Sequence, residues 1–450
     1  MRRHRLLVAL TLLLAAAAVV LTLLVSDASD ERASRGATTA SAPPPPSRLT
    51  LAGLQPDRII RRVEELRGLR LKRRPRFRVV PASRIDAIVR RQGERDGTEE
   101  SPREERVSLA LLKLLGLLPP GADLDRLQKT VSEQGILGLY DGARNEMIIV
   151  GRDGELPAAA EATVAHELVH AIDDQHFGIF RRLKVLARGP VDDVALAYQS
   201  LLEGSAEAVA DRYAERYSVP RSAPGEEEQA ERLRRELPFG MLLSLSFPYA
   251  FGSAFASSLG APGDAPRLRA AFGERPPRSA VEIIDPRLYA ADFRPTSVRV
   301  RAAAVLGDGW TAMQDEDRFS ALDLVSLLAF TEEESVGASA IATSWRGGRY
   351  AYLRRRSDDG RGCTAPCLER DAFVGRVAMA TPEAARRAAE AFGTVLVRHR
   401  RARPAGAGRW TVPGREGRSG AAAAIATGTT LALAYAPTPE LAARLVRAND

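Results

Sequence analysis

His166 and His170 stand four residues apart in the run HELVH, with Glu167 between them. Positions four apart on a helix share a face, so both imidazoles can turn a ring nitrogen toward one ion while Glu167 projects to the side where a bound water would sit. Zinc lowers the pKa of such a water toward neutrality, and a carboxylate beside it can take its proton as the water attacks a carbonyl. Glu167 is therefore the candidate general base. The chain holds only five histidines, so an HExxH match by chance is expected on the order of a few times per thousand shuffled chains of this composition. The plain alternative is a helix carrying two hydrogen-bonded histidines. Pro157 suits a first helical turn and residues 158–165 are strong helix formers, which predicts a helix with HELVH about two turns from its start.

HELVH supplies two ligands, and a catalytic zinc usually takes three from the protein. His176 lies six residues beyond His170, the spacing of the metzincin pattern HExxHxxGxxH, but Asp173 stands where that pattern turns on a glycine. A carboxylate on a following helix is the other common solution. The segment AYQSLLEGSAEAVADRY, starting at Ala197, places Glu203 and Glu207 four apart on one face. Glu203 is the expected third ligand, with His176 as the alternative. Glu207, one turn on, is placed to hydrogen-bond a ligand histidine and fix its tautomer. Taken alone, two glutamates at this spacing are an ordinary solvated helix face.

These residues together resemble a zincin of the gluzincin type, the zinc metallopeptidases with HExxH on one helix and a downstream glutamate as third ligand. Glu203-Gly204-Ser205-Ala206 is similar to the NEGxA context of that glutamate, with Leu202 in place of the family asparagine. The runs HELVHAIDDQHF, LLEGSAEA and WRGGRY (around Trp345) resemble a group of largely uncharacterised bacterial and archaeal predicted metallopeptidases, over roughly Pro56 to Arg400. The resemblance implies a sheet just before the active-site helix, whose edge strand pairs with an extended peptide substrate. In GILGLYDGARNEMIIV, residues 135–150, two apolar runs flank a polar turn at 141–145 and read as a hairpin suited to that place. Strand addition of this kind gives main-chain affinity with little sequence preference.

Arg2, Arg3 and Arg5 precede an uncharged apolar run, 6–26, long enough to cross a bilayer. The flanking charge predicts a cytoplasmic tip at 1–5 and the rest outside the cell. The run exceeds the apolar region of a signal peptide, which favours an uncleaved anchor over secretion after cleavage. Residues 27–50 are rich in Pro, Ser and Ala and read as a linker. The remaining length is ample for a zincin-like catalytic domain over 51–290 and a C-terminal α+β domain over 291–450. The formal net charge is +8, but no nucleic-acid motif or aromatic interleaving accompanies it, so nucleic acid is not an expected partner.

Other segments set the frame of the site. IIRRVEEL at 59–66 has helical apolar spacing, and the basic run at 77–80 reads as a strand. Residues 239–262 carry no charge and could be mistaken for a second membrane span, but Pro248, several serines and three glycines point to a buried core helix. Cys363 and Cys367 are the only cysteines, and in an exported protein they would most simply close a small disulfide loop. Thr381-Pro382-Glu383 and Thr438-Pro439-Glu440 each follow an apolar strand-like run, and both read as a helix start with threonine at the N-cap. Zincins also place a donor for the developing oxyanion, for which Tyr140, Tyr198, Tyr213, Tyr249 and His399 are candidates. The whole reads as an α+β, zincin-like core with a mixed or antiparallel sheet beside the active-site helices. Its expected function is zinc-dependent hydrolysis of peptide or protein substrates outside the membrane. The alternative is an inactive envelope protein that keeps the fold as a binding scaffold.

Overall fold

The computed structural model describes residues 48–97, 101–151, 155–157, 159–189, 192–222, 226–356, 366–414 and 418–450. The tip, the apolar run 6–26, the linker up to residue 47, and Cys363 lie outside the described residues.

Strand β1 (Arg48–Thr50) pairs antiparallel with β5 (Glu155–Pro157). The last three residues assigned to the linker are thus part of the folded body, and Pro157 ends a strand instead of opening a helix. Helix α1 (Pro56–Arg67) realises the amphipathic run, with Pro56 in its first turn and Gly68 closing it in the left-handed region. Its apolar Ile59, Val63 and Leu66 face the core. β2 (Arg76–Val80), β3 (Gly138–Asp141) and β4 (Glu146–Val150) form a mixed sheet in the order β2-β4-β3. β2 runs parallel to β4, and β3 and β4 make the expected hairpin.

Helix α2 (Ala160–Phe177) carries HELVH, and every residue from Ala160 to Asp173 is buried. A helix with small or apolar residues on all sides can be covered on all sides, and α2 packs against α1, β3, β4 and the long helix α4 (Asp192–Tyr217). Between α2 and α4 runs the short α3 (Ile179–Ala187). Arg67 at the end of α1 is fully buried and pairs with Asp173 of α2 at 2.9 Å, which pins the two helices in register. The uncharged run forms α5 (Phe239–Ser258), a largely buried helix packed along α4.

The contact of α4 with α5 is made by backbone. A Cβ on Gly204 would lie 2.0 Å from the carbonyl carbon and oxygen of Gly252, and one on Gly252 would lie 2.1 Å from the oxygen of Ser200. Only glycine permits this approach.

The C-terminal part is a seven-stranded sheet in the order β6-β7-β8-β12-β11-β10-β9. Its strands are β6 (Trp310–Ala312), β7 (Trp345–Arg355), β8 (Asp371–Met379), β9 (Arg403–Pro404), β10 (Arg409–Pro413), β11 (Ser419–Thr427) and β12 (Thr430–Ala436), each antiparallel to its neighbours. The two Thr-Pro-Glu starts behave as read. Thr381 and Thr438 accept hydrogen bonds from the N–H groups of Ala384 and Leu441 and open α6 (Pro382–Arg400) and α7 (Pro439–Ala448). Alternation along β12 assigns the faces. Leu431, Leu433 and Tyr435 join a core with Phe392 of α6, whereas Ala432, Ala434 and Ala436 pack with Leu445 of α7. The first of these cores continues through Trp345 and Phe319 to Phe247 of α5 and Tyr198 of α4, so the sheet buttresses the site-bearing helices.

Replacing Gly252 by alanine should destabilise the protein by at least the about 1–3 kcal/mol of an overpacked core, because the obstructing atoms are backbone. Gly337, in a helix at 332–342 with nothing within 4 Å of where an added methyl group would stand, serves as control. Gly337→Ala should be neutral or stabilising by up to about 1 kcal/mol. Urea unfolding midpoints of the two variants decide it: equal midpoints would remove the backbone crossing as a structural determinant.

Candidate metal centre

His166 and His170 lie one turn apart on α2, and Glu203 lies mid-way along α4. The Nε2 atoms of the two histidines are 3.1 Å apart, and Glu203 Oε2 is 3.3 Å from each. All three side chains are buried. They form the one group among the described residues whose histidine, cysteine or carboxylate atoms converge closely enough to hold a metal. With metal–ligand bonds of about 2.0–2.2 Å, neighbouring ligands of a tetrahedral ion stand about 3.3 Å apart, so the triangle is of a size that could hold a metal ion.

Electrostatics point the same way. Burial works against a charged His166, but hydrogen bonds to Glu203 and Glu207 outweigh it and raise its pKa to about 10. Burial likewise opposes charge on Glu203, yet the neighbouring His170 and His166 bring it down to about 2. The carboxylates around His166 thus favour positive charge in this pocket, as a metal-binding site requires.

Glu207, one turn after Glu203, puts Oε1 3.1 Å from Nδ1 of His166. Its spacing suggested this neighbourhood, and the two atoms lie within ion-pair distance. Glu167 is 1% exposed, and no side chain among the described residues hydrogen-bonds either of its oxygens. Burial raises its pKa to about 7, against the pull of His170 and His166, with the backbone N–H of Tyr140 favouring the ionised form. β3 is brought against it by Gly138, where a Cβ would stand 2.8 Å from Thr163 Cγ2 and 3.4 Å from Glu167 Cγ. Phe180 of α3 lies over His170 and Tyr249 of α5 over His166, with ring centres 6.0 and 6.3 Å apart.

His176 is not brought to this cluster. α2 runs unbroken to Phe177, which carries His176 roughly 9 Å further along the helix axis than His170, and its Nε2 meets the carbonyl of Arg70 at 2.8 Å. The glycine turn that would bring such a histidine back is replaced by Asp173, which stays helical and pairs with Arg67.

The oxyanion candidates separate. Tyr140 donates to Asn145 at 3.0 Å, Tyr198 to the carbonyl of Phe272 at 3.0 Å and Tyr213 to Glu161 at 2.6 Å. His399 contacts Glu334 at 2.9 Å in the C-terminal part. Tyr249 is the one beside a cluster histidine. Cys367 is buried just before the turn that leads into β8, and its companion Cys363 lies outside the described residues. A cavity of about 680 Å³ lined by Lys113, Pro238, Phe330, His399 and Arg400 lies between the helices and the sheet, and no member of the cluster lines it.

Sequence reasoning missed Arg221 and Phe180. Arg221 sits in the polar run SVPRSAPGEEE, which carries no helix period or motif, yet its guanidinium contacts Glu207. Phe180 follows Gly178, which ends α2 in the left-handed region and turns α3 back over the site.

Residues 308–446, most of the C-terminal sheet with its helices, match the family model "Domain of unknown function (DUF8575)". No curated protein and no solved structure matches the chain.

Zinc retention after dialysis separates the two ligand candidates. Glu203→Ala should lose affinity by more than the about 10–100-fold typical of a residue that only supports a ligand. His176→Ala should retain zinc like the parent chain. Loss in the second variant and retention in the first would overturn the assignment.

Proposed function

We propose that the protein is a zinc-dependent metallopeptidase of the zincin type, anchored to the membrane by residues 6–26 with its body outside the cell. The observation that carries this reading is the company of Glu167: a buried carboxylate without a side-chain partner, next to three convergent ligand atoms of His166, His170 and Glu203. The anchor rests on the basic tip and apolar run of the sequence.

In this reading His166, His170 and Glu203 would hold the ion, and Glu207, with Oε1 3.1 Å from Nδ1 of His166, would orient that ring. When bound, zinc supplies an acidified water and a Lewis acid for the carbonyl under attack. Glu167 takes the proton of the attacking water and returns it to the leaving amine, a task suited to a carboxyl whose pKa burial has raised to about 7. The substrate is a peptide or protein segment in extended form. Strand β3 supports that choice, since it is an edge of its sheet and lies directly against Glu167.

One observation favours the second reading, a zincin-fold scaffold with a structural metal. His166, His170, Glu167 and Glu203 are each 0–1% exposed, so a substrate reaches them only if Phe180, Tyr249 or β3 gives way. Glu167→Gln tells the two apart. A peptidase should keep its zinc and lose about 10²–10⁴-fold in hydrolysis of a peptide library, whereas a scaffold should show equal, background cleavage in both chains. Equal cleavage would leave the metal site standing and remove the peptidase.

A further inference from the structure

Arg221 lies on the segment that follows α4. Ser218 takes a left-handed backbone conformation, and the N–H of Val219 bonds back to the carbonyl of Ala214 at 3.0 Å. The chain therefore reverses, and residue 221 returns alongside the last turns of α4. There Glu203, Glu207 and Asp211 follow one another at four-residue intervals on one helix face. Arg221 contacts Glu207 Oε2 through one terminal nitrogen and Asp211 Oδ1 through Nε at 3.2 Å.

The two oxygens of Glu207 are thus divided. Oε1 stands 3.1 Å from Nδ1 of His166, and Oε2 accepts from Arg221. Glu207 is 3% exposed, so water does not hold it in that orientation. Resting on the reading of His166, His170 and Glu203 as metal ligands, we infer that Arg221 is a positioning residue of the metal centre: it clamps Glu207 so that His166 keeps its proton on Nδ1 and offers the lone pair of Nε2 to the ion.

Several features of the contact fit this role and not that of a surface ion pair. The guanidinium is planar and can serve two carboxylates at once, which a lysine ammonium does only as a point charge. Asp211 is half in solvent and holds the outer side of the guanidinium, while Glu207 is inside. The chain Asp211, Arg221, Glu207, His166 therefore runs from the surface to the ligand atom. Loss of the guanidinium removes the positive charge that faces Glu207 Oε2, and a rotation of Glu207 then moves Oε1 away from His166.

The test is zinc affinity of the full-length chain by competition with a coloured chelator, for the parent, R221M, E207Q and the double variant R221M/E207Q. R221M and E207Q are each expected to weaken zinc binding about 10–100-fold. Because Arg221 acts through Glu207, the double variant should be no more than about twofold weaker than E207Q alone. The visible spectrum of the cobalt-loaded protein should change in R221M and E207Q alike. Affinity of R221M within about twofold of the parent, or penalties that multiply in the double variant, would overturn the inference. If R221M does not fold, R221K and R221K/E207Q are compared in the same way. A parent chain that binds no zinc refutes the ligand reading itself, whereas zinc binding lost in Glu203→Ala but unchanged in R221M refutes the role of Arg221 alone.

Discussion

Three carboxylates, Glu167, Glu203 and Glu207, are buried around two imidazoles in the centre of the helical part. Carboxylates in so dry a place are stable only if opposite charge or hydrogen bonds meet them. Arg221 supplies one positive charge, at Glu207. Glu167 and Glu203 are left facing the two imidazoles, a setting that favours positive charge between them. Nε2 of His166, Nε2 of His170 and Oε2 of Glu203, 3.1–3.3 Å apart, are spaced so that one ion could stand in place of the protons shared between them.

That electrostatic requirement translates into a packing requirement. Glu203 reaches the histidines because α4 packs against α2, and α4 is itself held by α5 packed along it. At the Gly204–Gly252 crossing there is no side chain between the helices, so Glu203, the residue before Gly204, stands at the point where α4 is most tightly located. The glycine that the sequence resemblance treats as part of a motif has a mechanical task here: it brings the backbone of α5, and with it Tyr249, up to the ligand helix. The C-terminal sheet adds to the same constraint. Its core is continuous with Phe247 and Tyr198 on α5 and α4, so the region matched as a domain of unknown function supports the helices that carry the cluster.

Much of this was legible in the sequence where local signals are strong. HELVH on a helix, the hairpin before it and the two threonine-capped helices follow from period and capping residues acting over short distances, whereas the choice of Glu203 and Glu207 comes from the need for a third ligand and from the family resemblance. The unread parts depend on partners distant in the chain. Pro157 looks like a helix opener, but β1 recruits it into a strand. His176 has metzincin spacing, but Arg67, over a hundred residues upstream, stabilises Asp173 and allows α2 to continue straight. Arg221 was invisible because its neighbours carry no pattern and its partner is reached only after the turn at Ser218. The uncharged run at 239–262 was ambiguous by composition, and what decides its place in the fold is the glycine crossing, which no hydropathy count contains.

Glu167 is treated differently from the other buried acids of α2 and from Glu207. Glu161, five residues before His166 on α2, is met by Arg58, Arg62 and Tyr213. Asp173, three after His170, is met by Arg67, and Glu207 is met by Arg221. The chain has 65 lysines and arginines and deploys them at each of these positions, yet no side chain among the described residues reaches Glu167. Leaving a buried carboxyl without a side-chain partner costs about 1–3 kcal/mol or more, and a glutamine or an apolar residue of similar size would avoid much of that. A purely structural metal centre needs its ligands and gains nothing from such a neighbour. A cost of this kind, left uncompensated at one position while equivalent positions on the same helix are fully paired, is the pattern expected where a group must stay available to a reacting molecule.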